Sequence, residues 1–138
     1  MRDKILEYFR LLTSIDSPSG EEGELADKLA EIVAARNFRL ERDGAGNIIA
    51  RRGRGVPMLL CCHMDTVESC AGLVLRSDGD YLTSSGDTIL GADDKAGIAV
   101  ILAVLSGLDR DPGLEIVFSV EEETGMYEGN QVYSQRRS

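Results

Sequence analysis

Residues 57–65 read PMLLCCHMD, and this segment carries the strongest indication of the fold. Its first six residues are apolar without interruption, and such a run is typical of a strand covered on both faces, as in parallel and mixed α/β sheets. Polar residues follow directly, and α/β proteins place their sites just beyond the carboxyl ends of such strands. We therefore expect a buried strand that delivers His63 and Asp65 to a functional site.

The flanking sequence predicts helices layered on a mostly parallel or mixed central sheet, which is an α/β fold. Apolar residues at helical spacing predict three helices, over residues 2–13, after Glu22 to about residue 36, and over 95–106. Strand patterns cover residues 39–42, 47–52, 58–62 and 114–120, with a hairpin around 77–80. Ser19 and Glu22 fit a capping box that starts the second helix. We expect strands 58–62 and 114–120 to share one sheet, linked by a right-handed crossover.

Composition excludes several classes of protein. The chain has 138 residues, which predicts one domain, and 43% hydrophobic residues argue against global disorder. A formal net charge of -9 disfavours nucleic acid and anionic membranes as partners. The apolar stretches are too short to span a bilayer, and the first residues are unlike a secretory signal. These features predict a soluble cytoplasmic protein.

The three cysteines do not predict a disulfide framework, because they are few and odd in number. Cys61 and Cys62 are adjacent within the apolar run, which indicates buried, reduced thiols. A metal-binding role for Cys62 is the less favoured alternative.

Three polar clusters stand out along the chain: His63 with Asp65, Asp93 with Asp94, and the glutamates 121–123. Each has a plain structural explanation by itself, as a histidine at a strand end, a helix N-terminal pair and a solvated loop. In extended backbone, residues i and i+2 face the same way, so Asp65 can reach the imidazole of His63. Such a carboxylate leaves the second ring nitrogen free to bind a metal.

Taken together, the clusters point to a hydrolytic metal site. Carboxylates with one imidazole and no thiolate suit Zn²⁺ or a similar divalent ion. Such sites need one carboxylate as a ligand and another as a general base that takes a proton from water. Adjacent glutamates can provide both groups.

The motifs also resemble those of a known family, the co-catalytic zinc peptidases of the M20 type, and most closely its peptidase T (tripeptide aminopeptidase) branch. The matching strings are HMDTV at 63–67, GADDKAG at 91–97, EETG at 122–125, SPSGE at 17–21 and DGAGN at 43–47. The resemblance extends over residues 1 to about 127.

This resemblance implies a role for each residue at a site with two zinc ions, for which Co²⁺ or Mn²⁺ are alternatives. His63 would be a terminal ligand of one zinc, and Asp65 the acid that orients it. Asp93 would bridge both ions, and Glu123 would ligate the second. Glu122 would be the general base that activates the water between the ions for hydrolysis of a peptide bond.

Two local details follow from the same resemblance. The peptide between Asp93 and Asp94 would be cis, which is unusual for a bond that does not precede proline. The family pattern Glu-Glu-x-Gly fixes the register of the triple glutamate through Gly125, so that Glu122 is the base and Glu123 the ligand.

The sequence departs from the family at its end. Residues 1–127 resemble the N-terminal part of a catalytic domain, whereas residues 128–138 are polar and atypical, so we hypothesise a truncation or a frameshift near Tyr127. Family members carry a second acidic ligand, a dimerisation or lid domain that allows homo-oligomers, and a distal histidine. His63 is the single histidine of this sequence, so each zinc would have two protein ligands where three are usual. We therefore expect weak or no activity.

Three alternatives remain beside an aminopeptidase that acts on small peptides. A related M20 acylase, carboxypeptidase or deacetylase would share the same motifs. A non-catalytic remnant would bind a metal or a partner without turnover. A phospho-acceptor signalling domain also gathers acids around a cation, but it places its acidic pair at the first strand, whereas Asp93 and Asp94 come late.

Overall fold

The structure, a computed structural model, describes residues 1–109 and 111–125. Its elements in chain order are α1 (Arg2–Thr13), α2 (Gly23–Ala34), β1 (Arg39–Arg42), β2 (Ile48–Arg52), β3 (Arg54–His63), β4 (Leu75–Asp78), β5 (Tyr81–Ser84), α3 (Ala92–Ser106) and β6 (Pro112–Ser119). The atypical tail 128–138 lies outside the described residues. Within the described ranges, none of the helices has the length and apolar character needed to cross a bilayer.

The central sheet has four strands in the order β1-β2-β6-β3, and β4 and β5 form the separate hairpin that the sequence predicts. β3 and β6 pair in parallel, with Cys62 opposite Phe118, so the two apolar strands share one sheet as expected. β2 is antiparallel to both β1 and β6. The α/β class is confirmed, and the described sheet is mixed rather than mostly parallel because a tight turn between β1 and β2 allows only antiparallel pairing.

The turn between β1 and β2 is built by the side chain of Asp43. Its Oδ1 accepts the backbone N–H groups of Ala45, Gly46 and Asn47 at 3.0–3.1 Å. The Asn47 side chain then accepts the N–H of Val120 at 3.0 Å. The turn thereby fixes the residues that follow β6, where the predicted site begins.

The core lies between the helices and one face of the sheet. α1 packs against α3, while α2 covers β1 and β2. Fully buried side chains from all three helices and from β6 form one cluster: Leu12, Leu25, Leu29, Ile98, Leu102, Ile116 and Phe118. Ile116 and Phe118 are two residues apart in β6 and therefore point to the same face.

β3 differs from its expected environment. Val56 is 97% exposed, Met58 64% and Leu59 41%, so the expectation of a strand covered on both faces is wrong within the described residues. The reason is topological, since β3 is an edge strand there and pairs with β6 alone among the described strands. Cys62 is buried as predicted, whereas Cys61 is exposed, and the cysteines are free thiols.

The predicted capping box is also wrong. α2 begins at Gly23, with Glu22 at the N-cap position and no hydrogen bond from a capping side chain. The Ser19 hydroxyl donates to Asp65 instead, at 2.6 Å. The Ser19 hydroxyl, which local spacing assigned to a helix cap, thus binds a carboxylate 46 positions away in the chain.

The exposed edge of β3 predicts self-association of the 138-residue chain, because an edge strand with apolar side chains offers unpaired backbone groups and apolar area. We expect Val56→Lys to reduce concentration-dependent association measured by sedimentation velocity. Tyr81→Lys on the hairpin, where the tyrosine is 76% exposed, is the matched control and should leave the association unchanged. Equal association of both variants and the wild type would contradict this prediction.

Candidate metal centre

His63 is the last residue of β3, and its two ring nitrogens face different groups. Nδ1 donates to the backbone carbonyl of Asp65 at 2.9 Å and lies 3.3 Å from the carboxylate of the same residue. Nε2 lies 3.1 Å from Asp93 Oδ1 and 4.0 Å from Glu122 Oε2. The ring is therefore held through Nδ1, which leaves Nε2 among carboxylates where a metal ion would sit.

The Asp65 carboxylate is completely buried and holds several groups at once. Its Oδ1 accepts the backbone N–H of Glu122 and its Oδ2 that of Glu123, each at 3.0 Å, and Oδ2 also accepts the Ser19 hydroxyl. Burial opposes the charged form, but the His63 ring and these donors outweigh it and hold the pKa of Asp65 well below its usual range. Asp65 stays ionised and fixes both the imidazole and the acid loop, which we define as residues 121–123.

Asp93 and Asp94 lie at the start of α3 and divide their tasks. The Asp93 side chain is 86% exposed and faces His63. The Asp94 carboxylate turns back and accepts the N–H of Gly97 at 3.2 Å, so it caps the first turn of the helix. The peptide between the two residues is cis, as the resemblance implies.

The acid loop completes the cluster. Ligand atoms of His63, Glu122 and Glu123 lie within 4.8 Å of one another. Asp93 Oδ1 joins them at 3.1 Å from the His63 Nε2 atom. The structure thus brings together the five residues to which the resemblance assigns roles, with Asp65 behind the other four. Because both glutamates offer an oxygen here, their division into base and ligand stays a prediction.

The electrostatics of the cluster favour a cation. The Asp65 carboxylate beside Nδ1, together with Asp93, raises the pKa of His63 to about 9. Partial desolvation and the neighbouring carboxylates raise the pKa of Glu123, although His63 acts in the opposite direction. One imidazole nitrogen and several carboxylate oxygens form a donor set that suits zinc and similar divalent ions. Burial raises the pKa of the Cys62 thiol, which disfavours the thiolate that would compete as a ligand.

The sequence reasoning missed two residues beside this centre, Ser19 and Glu22. Glu22 is buried, and its Oε1 accepts the N–H of Glu121 at 3.1 Å. The available signal was the string at 17–21, which matched the family but received no role. The hydroxyl of Ser19 lies within that string, whereas Glu22 lies one residue beyond it and carried no signal of its own.

A cavity of about 660 Å³ lies at the opposite end of the sheet. Two of its three arginines are paired with acids, since Arg51 Nε lies 2.7 Å from Glu115 and Arg52 Nε lies 3.0 Å from Asp111. It is remote from the ends of β3 and β6 where the titratable groups converge. Size alone therefore does not make it the stronger candidate for chemistry.

Comparison with known proteins agrees with this geometry. The model of peptidase family M28 matches residues 47–138, which is more than half of the chain. The chain belongs to peptidase family M28. This M28 chain is also similar to solved peptidase structures: a tripeptidase from Staphylococcus aureus is 33% identical with a TM-score of 0.84, and aminopeptidase PepT from Bacillus cereus is 29% identical with a TM-score of 0.83.

The M28 chain spans a minor part of its relatives. Each of the two solved matches covers 91% of this chain but 38% of the other chain. The cytosol non-specific dipeptidase of Escherichia coli is 31% identical over 137 residues, which are 87% of this chain and 28% of the dipeptidase. The predicted metallopeptidase recognition and catalytic-domain fold are confirmed, and the family match argues against the phospho-acceptor alternative.

A substitution at Gly97 tests how the M28 chain positions Asp93 and Asp94. An added Cβ would lie 2.2 Å from Asp94 Oδ1, so Gly97→Ala must displace that carboxylate or the first turn of α3. We expect a loss of stability of about 1–3 kcal/mol and weaker Zn²⁺ binding, measured by thermal unfolding and calorimetric titration.

Gly107→Ala is the matched control at the other end of α3. Its added Cβ would find its nearest atom, the Val104 carbonyl oxygen, at 3.9 Å. Zn²⁺ affinity should be unchanged in this variant. If Gly97→Ala bound Zn²⁺ as well as Gly107→Ala does, the placement of Asp93 would not depend on this close contact.

Proposed function

We propose that this member of peptidase family M28, whose site motifs also resemble the M20 type, carries the metal-binding part of a zinc-dependent aminopeptidase that hydrolyses small peptides. The observation that supports this most is the convergence of His63, Asp93, Glu122 and Glu123 beyond the ends of two parallel strands. Family membership and the similarity to a tripeptidase supply the reaction class. A cytoplasmic location and a small peptide as substrate, without nucleic acid or membrane, belong to the same proposal.

His63 Nε2, Asp93 and Glu123 would hold the metal ions, with zinc favoured by the donor set and Co²⁺ or Mn²⁺ as alternatives. When bound, such an ion polarises a carbonyl oxygen and lowers the pKa of water toward neutrality. Asp93 has an exposed carboxylate with two oxygens, which suits a bridging position. Asp65 keeps the imidazole oriented through Nδ1, so that Nε2 remains available as a ligand.

Glu122 is the proposed general base. Its Oε2 lies 4.0 Å from His63 Nε2, beside the group of ligands, and its side chain is 38% exposed. A carboxylate in this place can take a proton from the attacking water and deliver it to the leaving amine. The backbone N–H of Glu122 is held by Asp65, so the acid reaches the site from a fixed backbone position.

The two glutamates can be separated by isosteric substitution. We expect Glu123→Gln to weaken Zn²⁺ or Co²⁺ binding by at least the roughly 10–100-fold that loss of a group behind a ligand typically costs, because it removes a charged ligand, whereas Glu122→Gln should retain most of the affinity. Titration calorimetry measures both variants, with Glu121→Gln as the matched control in the same loop. The opposite ranking of the 122 and 123 variants would exchange their proposed roles.

Ligand number predicts little turnover by the 138-residue chain itself. It contains one histidine, so two zinc ions would share fewer protein ligands than the three that are usual at a catalytic zinc. With excess Zn²⁺ or Co²⁺, we expect metal binding but little or no hydrolysis of di- and tripeptides in a chromatographic assay. Turnover that disappears in the Glu122→Gln variant would show that these motifs suffice.

A chimera tests the peptidase proposal against a remnant that only binds metal. Residues 1–125 would replace the corresponding segment of the Staphylococcus aureus tripeptidase, which superposes with a TM-score of 0.84. We expect tripeptide hydrolysis that is abolished by Glu122→Gln, because general-base catalysis contributes about 10²–10⁴-fold. A folded chimera that binds zinc without turnover would favour the non-catalytic alternative.

A further inference from the structure

Three consecutive backbone N–H groups of the acid loop donate to carboxylate oxygens from distant parts of the chain. Glu121 donates to Glu22 Oε1 at 3.1 Å, Glu122 to Asp65 Oδ1 at 3.0 Å, and Glu123 to Asp65 Oδ2 at 3.0 Å. Each of the three residues in the acid loop therefore has its backbone N–H fixed by a hydrogen bond to a carboxylate. The loop is held from outside by two buried acids.

External support is needed because the loop is unfavourable by itself. Three adjacent glutamates repel one another, and Glu121 has a φ of 55°, a left-handed conformation that residues other than glycine adopt uncommonly. The contacts that hold these N–H groups also decide which side chains reach the metal cluster. Register within the triple glutamate is thus set by contacts of the backbone.

Ser19 and Glu22 belong to one segment, residues 17–22, which we call the Ser-Pro segment. Ser19 donates its hydroxyl to Asp65 Oδ2 at 2.6 Å, and Glu22 accepts the N–H of Gly20 at 3.0 Å as well as that of Glu121. The carboxylate of Asp65 that accepts the Ser19 hydroxyl also accepts the backbone N–H groups of Glu122 and Glu123. One segment therefore reaches all three residues of the acid loop, directly or through Asp65.

The Ser-Pro segment is itself fixed to the end of β3. Ser17 is completely buried, and its hydroxyl donates to the carbonyl of Met64 at 2.9 Å. Its own carbonyl accepts the N–H of Thr66 at 3.0 Å. These bonds flank Asp65 on both sides, so the segment and the carboxylate it contacts are held in one frame.

We propose that Ser19 and Glu22 are positioning residues of the metal centre, which hold the acid loop in the register that presents Glu122 and Glu123 to His63. The metal-binding consequence rests on the function proposed above. Neither residue contacts the metal cluster in its own right. Ser19 acts through Asp65, and Glu22 acts through the backbone of Glu121.

The test compares Ser19→Ala with Ser19→Thr, which keeps the hydroxyl. Ser14→Ala is the second control, because the Ser14 hydroxyl that it removes donates to the Leu11 carbonyl at the end of α1. Co²⁺ affinity is measured by titration calorimetry. We expect Ser19→Ala to bind Co²⁺ about 10–100-fold more weakly, as is typical when a group that orients ligands is lost, while the other two variants bind like the wild type.

Amide hydrogen exchange of the metal-free chain gives a second readout that needs no metal. Ser19→Ala should accelerate exchange at Glu122 and Glu123 about tenfold and leave Glu121 unchanged. Glu22→Ala should accelerate exchange at Glu121, and Glu22→Gln, which keeps the acceptor oxygen, should restore it. The matched control is Glu21→Ala, because Glu21 is the exposed neighbour.

Each outcome decides between the proposals. Wild-type affinity and wild-type exchange in Ser19→Ala would overturn the inference while leaving the proposed function intact. Faster exchange throughout the chain without rescue by threonine would also overturn it, since it would show a general structural role. If the wild type did not bind Co²⁺ or Zn²⁺, the proposed function would fail, and exchange at residues 121–123 would still decide whether the Ser-Pro segment positions the loop.

Discussion

The buried carboxylate of Asp65 joins three parts of the chain that are far apart in sequence. It contacts the imidazole of His63, the Ser19 hydroxyl, and the backbone N–H groups of Glu122 and Glu123. A charge removed from water costs several kcal/mol unless donors replace its hydration, and here the donors are the elements of the site itself. The end of β3, the segment before α2 and the loop after β6 therefore depend on one another, and losing any one contact leaves Asp65 underbonded.

The same arrangement concentrates negative charge at one edge of the sheet. Asp93, Glu122 and Glu123 surround a single imidazole, and like charges at this distance oppose folding. A bound divalent cation would convert that repulsion into attraction, and it would stabilise the folded chain by an amount that grows with the logarithm of its concentration over the dissociation constant. In the proposed function such an ion would balance these acids, and the fold holds the charged loop in place through Asp65 and Glu22.

Sequence patterns predicted what depends on local periodicity and on the ends of strands. The helices follow from apolar periodicity, and the parallel pairing of β3 with β6 and the meeting of His63 with the glutamates follow from apolar runs that end in polar residues. Asp93 reaches the same place from the start of α3 rather than from the end of a strand. The contacts of Ser19 were missed because its spacing to Glu22 is identical to that of a capping box, and local spacing cannot register a partner elsewhere in the chain. The exposure of β3 was missed for a related reason, since an apolar run indicates a covered strand but does not say which segment covers it.

The choice of carboxylates to hold an acidic loop has a physical logic. A neutral carbonyl could also accept the N–H groups of residues 121–123, but Glu22 and Asp65 add negative charge behind the proposed ligands. Hydrogen bonds to charged acceptors are roughly twice as strong as those between neutral groups, which secures a backbone that repulsion would otherwise open. The added charge also raises the basicity of the ligands toward a cation, as carboxylates behind metal-binding histidines do. One pair of buried acids therefore stabilises the loop and, in the proposed metal centre, would also raise the affinity for the cation through the same atoms.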